Sequence, residues 1–456
     1  MLDIVILAAG KGTRMLSELP KVLAPIGGRS LLSHVIEIAA QLTEAPPTVV
    51  VGHGADKVKQ QFPQGVNYVE QQQQLGTGHA VMQALPYLHD DATVLILCGD
   101  VPLIRTKTLL SLIEQVNDET MGLLTIVLAD PTGYGRILRD KNNDVIGIVE
   151  QKDATAEQSM INEVNTGVIA ARGSQLKRWL PTLKNDNAQR EYYLTEIIAI
   201  ANADKISIAT DQAGYPWEVQ GVNNRLQLAK LEREYQRLKA EDLMNKGVTL
   251  YDPQRFDCRG NLTVGSDVVI DINCVFEGEV TLGNKVTIGP NVIIRDSVIG
   301  DNTTILANSI MDGAHIASEC TIGPYARLRP ETTLSQGAKV GNFVEIKKAN
   351  IGTKSKVNHL SYIGNAELGD NVNVGAGTIT CNFDGTNKWN TIIGNDVFIG
   401  SNSALVAPVT LKDGATVGAG ATISSDVDAK ELVLTRVNQR HIKNWQRPKK
   451  KDTTKR

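Results

Sequence analysis

Two groups of residues in this chain have types and spacings that suit chemistry. The first is Leu7-Ala8-Ala9-Gly10-Lys11-Gly12-Thr13-Arg14-Met15, followed by Pro20-Lys21. Small residues let backbone N–H groups approach phosphate oxygens, and Lys11, Arg14 and Lys21 supply cations. The run lacks the spacing of a Walker loop and the third glycine of a dinucleotide fingerprint. Its residues suit a triphosphate; they equally suit a plain strand–turn. Asp100 follows an apolar run, and Asn223 opens a charged, helix-like stretch. Read singly, Asp100 can simply end a strand in a turn, and Asn223 can cap a helix.

The second group lies far downstream. Arg327-Leu328-Arg329-Pro330, Gly341 to Lys348, Lys356 to Tyr362 and Gly377 to Gly385 concentrate Arg, Lys, His, Glu, Asn and Tyr. His359 suits a general base, because imidazole titrates near neutral pH and can take a proton from an attacking amine. Glu345, fourteen residues upstream, is a candidate to orient it. A coil turn of eighteen residues does not stack the two directly; they can meet between neighbouring corners or across a subunit boundary. Arg329 and Lys347 offer a phosphate clamp, and Tyr362, Asn373 and Asn382 offer hydrogen bonds to a sugar. Without context, a surface His beside a surface Glu is the plainer reading.

The elements that must position these residues follow two different periods. Up to about Gly221, apolar runs (Ile4 to Leu7, Thr48 to Val51, Val94 to Leu97) alternate with helical spacing (Leu31 to Leu42, Thr106 to Val116). Strand and helix in alternation predict an α/β layer fold with a mostly parallel sheet, whose ligands sit at the carboxyl ends of strands. Gly10 and Asp100 both fall just there. Residues 223–247 are charged and free of Pro until Gly247, with one apolar stripe at Leu228, Leu231, Tyr235 and Leu238; they predict a linker helix packed on one face. From 248 to about 437 an aliphatic residue followed by glycine recurs every six residues, as at Leu282-Gly283 and Ile288-Gly289 or Ile393-Gly394 and Ile399-Gly400. That step predicts a parallel β-helix with three hexads per turn. The phase slips between Gly364 and Gly369 and again around Cys381 to Lys388, where loops leaving the coil offer a binding surface.

Composition narrows the classes. A net charge of −3 gives no global pull toward nucleic acid or membrane. The exception is the basic tail over 438–456, with Arg447, Lys449, Lys450, Lys451, Lys455 and Arg456, which reads mainly as a solvated end. Five cysteines, odd in number and without a CxxC, argue against a disulfide framework and a structural zinc, and fit reduced thiols in the cytosol. The start is apolar but short and carries Asp3 where a signal peptide has a cation. No run has the roughly 18 apolar residues of a membrane helix. Stable membrane insertion and nucleic-acid partners are therefore not expected.

The first motif closely resembles that of sugar-nucleotide pyrophosphorylases. Further matches follow in order: Gln74 to Ala80, Gly99-Asp100-Val101-Pro102-Leu103, Thr132 to Arg136, Val149 to Asp153, Asn165-Thr166-Gly167 and Val222-Asn223-Asn224. With the second half included, from Ile4 to about Pro448, the chain resembles the bacterial family of bifunctional N-acetylglucosamine-1-phosphate uridyltransferases/glucosamine-1-phosphate acetyltransferases.

The resemblance implies a Rossmann-like α/β nucleotidyltransferase domain over 1–222 and a left-handed parallel β-helix over 248–437. It implies a cytoplasmic homotrimer that feeds peptidoglycan and lipopolysaccharide synthesis. Leu7, Ala8, Ala9, Gly10, Gln71, Gly76, Thr77, Cys98 and Gly99 would line the nucleotide site. Lys21 would hold the sugar phosphate and Arg14 the leaving pyrophosphate. Gly135, Glu150, Asn165 and Thr166 would bind the N-acetylglucosamine moiety, and Asp100 with Asn223 would hold Mg2+. In the second site His359 would be the base, oriented by Glu345. Arg329, Lys347, Tyr362, Asn373 and Lys388 would hold glucosamine 1-phosphate. Asn382, Phe383, Ser401, Ala419 and Arg436 would contact acetyl-CoA, with a backbone N–H near Tyr362 facing the oxyanion. Cys98 and Phe383 stand where the family usually has Tyr, Gln220 where it has Glu and Arg190 where it has Gly. Two alternatives are a pyrophosphorylase whose coil only assembles subunits, and a non-catalytic scaffold of the translation-factor type; the His359 cluster argues against the first, and the Lys11/Arg14/Lys21/Asp100/Asn223 set against the second.

Overall fold

The structure, a computed structural model, describes residues 1–448; Lys449 to Lys451, Lys455 and Arg456 of the expected basic tail lie outside the described residues. It divides into two compact units. The first comprises Met1–Glu241 with Cys258–Gly260, and the second comprises the rest.

In the first unit the apolar runs become the middle of a sheet. In spatial order its strands are Ser207–Gln212, Thr120–Val127, Glu163–Arg172, Thr93–Cys98, Leu2–Ala8, Thr48–Val51 and Asn67–Glu70. Leu2–Ala8 runs parallel to both neighbours, while Glu163–Arg172 is antiparallel to both of its own. A hairpin, Arg136–Arg139 with Val145–Val149, extends from Glu163–Arg172. Val5, Ile6, Val49, Val50, Leu95 and Ile96 are fully buried, as continuous aliphatic runs in a sheet covered on both faces must be. Helix Leu31–Leu42 starts where Ser30 Oγ accepts the Ser33 N–H at 3.2 Å, and it buries Leu31, Leu32, Val35 and Ala39. The long helix spans Arg225–Asn245. Of its predicted stripe, Leu231 and Tyr235 are buried, with Leu228 and Leu238 partly so.

The second unit is a parallel β-helix of the left-handed hexapeptide class. Two sheets, one of 11 strands and one of 15, wrap its walls. Ile270, Ile288, Ile305, Ile322, Val340, Val357, Val374, Ile399 and Val417 stack directly on one another and fill the interior. Bonds between coils join residues 18 apart, as in Asn261 to Glu279, or 17 apart, as in Val372 to Ser355. The missing residue is absorbed at a corner. Between Asp370 and Asn395 the step is 25, because residues 382–390 leave the coil. One corner is turned in the left-handed backbone region by Asn291 and Asn308, then by Tyr325, Phe343 and Leu360. Asn tolerates that conformation; Tyr, Phe and Leu do not favour it. Residues 438–448 form no helix or strand. Among the described residues no helix is long and apolar enough to cross a membrane, and all five cysteines are free thiols.

Candidate active sites

The two central strands carry the first site on their carboxyl ends. Leu7 is in register with Cys98, and Gly99 N–H donates to Leu7 C=O at 2.9 Å. The segments Ala8–Gly10 and Gly99-Asp100 therefore lie side by side. Gly12 takes φ +60, and a Cβ there would stand 2.7 Å from Lys21 Cβ. Glycine thus lets the chain fold back and bring Lys21 over Asp100. Between these segments and helix Thr77–Ala84 lies a cavity of about 550 Å3, lined by Leu7, Ala8, Ala9, Gly10, Lys11, Lys21, Gln71, Gly76, Thr77, Cys98 and Asp100. Gln71 is buried, with Nε2 on Gly76 C=O at 3.0 Å and beside His79 Nδ1 at 3.0 Å. Burial, helped by Asp100, pushes the Cys98 thiol up to about 12, so it is a neutral wall.

Chain return brings Asn223 to the same point. Val222 N–H donates to Asp100 C=O at 3.0 Å. Asn224, not Asn223, caps the long helix: its Oδ1 accepts the Gln227 N–H at 2.9 Å. Asn223 Oδ1 is thereby left to accept from Lys21 Nζ at 3.1 Å, and the same ammonium is hydrogen-bonded to Asp100 Oδ2. A single cation reaches both oxygens.

Beside this cavity Gly135, Glu150 and Asn165 form a second group. A Cβ on Gly135 would lie 3.5 Å from both Glu150 carboxylate oxygens, and Asn165 N–H donates to Gly135 C=O at 2.9 Å. Burial raises the Glu150 carboxyl above the ordinary range, opposed by a 3.0 Å hydrogen bond from Thr195. Two expected residues stand differently. The Thr166 hydroxyl is buried and donates to Leu124 C=O at 2.8 Å, across the register shift between strands Glu163–Arg172 and Thr120–Val127. Arg14 is exposed and outside the cavity lining. Gln74 and Glu191 also line the cavity. Gln74 lies within a recognised motif but has no charge to draw notice; Glu191 arrives from a segment without periodicity.

The second site is on the outside of the coil. Arg329 Nη1 donates to Glu345 Oε1 at 2.8 Å. Lys347 is in register with Gly364, over which the Tyr362 phenol lies. Lys388 joins them from the excursion at 382–390. Repulsion from Lys388, then from Arg329, lowers the Lys347 ammonium below the usual lysine value. Asp384 holds the excursion shut: it accepts from Trp389 Nε1 at 2.7 Å and from the Asn387 and Thr386 N–H groups, bonds that pull its carboxyl down to about 2. Lys347 and Tyr362 belong to the 15-stranded sheet, and Arg329 follows its strand Arg327–Leu328.

His359 and Asn373 belong to the other wall. His359 ends strand Lys356–His359 of the 11-stranded sheet, and Asn373 is next to it between Lys356 and Phe398. The left-handed corner at Phe343 and Leu360 separates the two groups. Glu345 does not orient His359 within the chain, because its carboxylate is taken by Arg329. The His359 partner is instead Asn342 Oδ1, 2.8 Å from Nδ1. The Tyr362 N–H itself donates to Thr378 C=O at 3.1 Å, a bond between coils. Asn382 is buried, with Nδ2 on Asn365 Oδ1 at 2.7 Å, whereas Phe383, Ser401, Ala419 and Arg436 are exposed.

Known proteins match both halves. Residues 4–141 match the MobA-like NTP transferase domain, 258–335 the GMPPB C-terminal domain and 390–425 the bacterial transferase hexapeptide (six repeats). The chain is 60% identical over 452 residues to the bifunctional protein GlmU of Cellvibrio japonicus, covering 99% of this chain and 100% of that one. It is 56% identical to the GlmU of Marinobacter nauticus, over 98% and 99% of the two chains, and 58% identical to that of Saccharophagus degradans, over 99% and 100%. With two separate sites and full-length likeness to these relatives, the chain belongs to the GlmU family of bifunctional proteins.

Proposed function

We propose that the protein makes UDP-N-acetylglucosamine in two reactions, one on each unit, and so feeds cell-wall synthesis. The observation that carries this reading is the presence of both reactive groups in one chain: Lys21, Asp100 and Asn223 at a nucleotide-sized cavity, and, on the coil, His359 on one wall with three converging cations on the next.

In the first reaction the glucosamine 1-phosphate amine attacks the thioester carbonyl of acetyl-CoA. His359 takes a proton from the amine, the C–S bond breaks, and the thiolate leaves and is protonated. Arg329, Lys347 and Lys388 hold the phosphate. Because these cations stand on one wall and His359 with Asn373 on the other, a second copy of the chain facing the corner would complete the site. A homotrimer meets that need, and a hexapeptide coil is consistent with an oligomer.

In the second reaction an oxygen of N-acetylglucosamine 1-phosphate attacks the α-phosphorus of UTP in line, and the bond to the pyrophosphate oxygen breaks. Lys21 positions the attacking phosphate, Lys11 and Arg14 balance charge on the leaving group, and Gly135, Glu150 and Asn165 hold the sugar. Asp100 and Asn223 suit Mg2+: they are hard oxygen donors close enough to share the ammonium of Lys21. Mg2+ bound there would neutralise charge on the phosphates. A cytoplasmic location fits substrates of this kind.

A paired assay tests the reading. Glucosamine 1-phosphate with acetyl-CoA is expected to release thiol, and N-acetylglucosamine 1-phosphate with UTP and Mg2+ is expected to release pyrophosphate. Pyrophosphate without thiol would reduce the coil to an assembly module.

A further inference from the structure

We propose that Asn342 is the positioning residue that sets His359 up as a base; this rests on the acetyl-transfer reading above. Strands Lys339–Asn342 and Lys356–His359 are parallel neighbours, with Asn342 in register with His359 on the next coil. The coils are close at this level because residue 341 is glycine: a Cβ there would lie 2.8 Å from Asn358 Cα. The His359 backbone is fixed on both sides. Its C=O accepts from Gly377 N–H at 3.1 Å and from Ser361 Oγ at 2.8 Å, while Leu360 N–H donates to Asn342 C=O at 3.1 Å. What remains free is rotation of the exposed imidazole, and the 2.8 Å contact of Nδ1 with Asn342 Oδ1 stops it.

The chemistry of the contact selects a tautomer. An amide oxygen has no proton to give, so Nδ1 carries the hydrogen and Nε2 keeps its lone pair for the amine. A neutral amide also lacks the charge with which a carboxylate would hold the imidazolium, so the proton is readily passed on to the leaving thiolate. The one nearby carboxylate, Glu345, is neutralised by Arg329. The other charged groups around His359 are Lys356 on its own strand and Lys339 on the strand above. Strand Asn373–Val374 below carries none. Arg327, Arg329, Lys347 and Lys388 lie beyond the corner.

Two substitutions in the full-length protein test this. Asn342→Leu keeps the branched shape and removes the acceptor. Thiol release should fall in kcat by about a hundredfold, with KM for both substrates and pyrophosphate release unchanged. Asn342→Asp restores an acceptor and adds a charge. It should recover most of kcat, with the acidic limb of the rate profile moved up by about one pH unit. An Asn342→Leu enzyme within about twofold of wild type in kcat overturns the proposal. So does an Asn342→Asp enzyme that melts like wild type yet is silent, or whose acidic limb stays in place. Failure of the acetyl reading itself looks different: wild type releases no thiol, or His359→Ala releases it undiminished.

Discussion

On the proposed reading, the nucleotide cavity and the outer wall of the coil meet the same problem, holding a sugar phosphate against a reactive partner, and they are built in opposite ways. The first gathers residues far apart in sequence: Lys21, over Gly12, bonds both Asp100 and Asn223 in one chain, and Lys21 and Asp100 line a cavity of about 550 Å3. The second draws nearly all its residues from 327 to 388, yet the coil divides them between two faces. Closeness in sequence does not give closeness in space when each hexad turns a corner. The residues of the sheet site meet within one chain; those of the coil site stand on two faces of one.

The largest effects should come from cutting each site separately. His359→Ala is expected to lower thiol release by roughly 10²- to 10⁴-fold and leave pyrophosphate release intact; Asp100→Ala should do the reverse. A variant that depresses both would erase the distinction between the regions. Dilution sharpens it. Acetyl transfer per chain should fall as the oligomer dissociates, followed by sedimentation on the same samples, while uridylyl transfer per chain stays constant. Equal loss of both, or of neither through dissociation, would make the coil site self-sufficient too.

Smaller effects appear in pH dependence. Lys347 is held below the usual lysine value by Lys388, and it must be charged to bind phosphate. KM for glucosamine 1-phosphate should therefore rise as pH increases through that lowered value. Lys388→Met removes the main cause, and the limb should move to higher pH; an unmoved limb would separate the two lysines. Glu150 has the opposite sense, its carboxyl raised by burial. If the charged form accepts a bond from the sugar, KM for N-acetylglucosamine 1-phosphate should rise by about fivefold as pH falls through that raised value. Glu150→Gln should make KM independent of pH in this range.

Much of the sheet site was legible because strand ends are marked in the sequence by aliphatic runs stopping at glycine. The strands around Ile4 to Leu7 and Val94 to Leu97, and the helix Leu31–Leu42, stand where periodicity puts them. Asn223 was ambiguous between cap and ligand, since the adjacent Asn224 is chemically identical and only the helix start decides which one caps. The coil was legible as a coil, from its six-residue step. Its site was less so. Eighteen residues per turn argued only that Glu345 does not stack on His359; here a turn takes 17, and the residue at that distance is Asn342. Which wall a residue occupies also depends on where a corner drops a residue, and no composition marks that. Thr166 and Asn382 stand within matched motifs, and only the fold shows that their side chains also bond Leu124 and Asn365.

The stacking of coils is also a ruler. Neighbouring parallel strands are about 4.8 Å apart, so Arg329, Lys347 and Gly364 under Tyr362 are marks at successive rungs. The backbone anchors along this wall therefore differ in height by whole rungs, and only side-chain length supplies the fractions. Inserting one coil between two of these marks would move them apart by a full division rather than by a fraction of one.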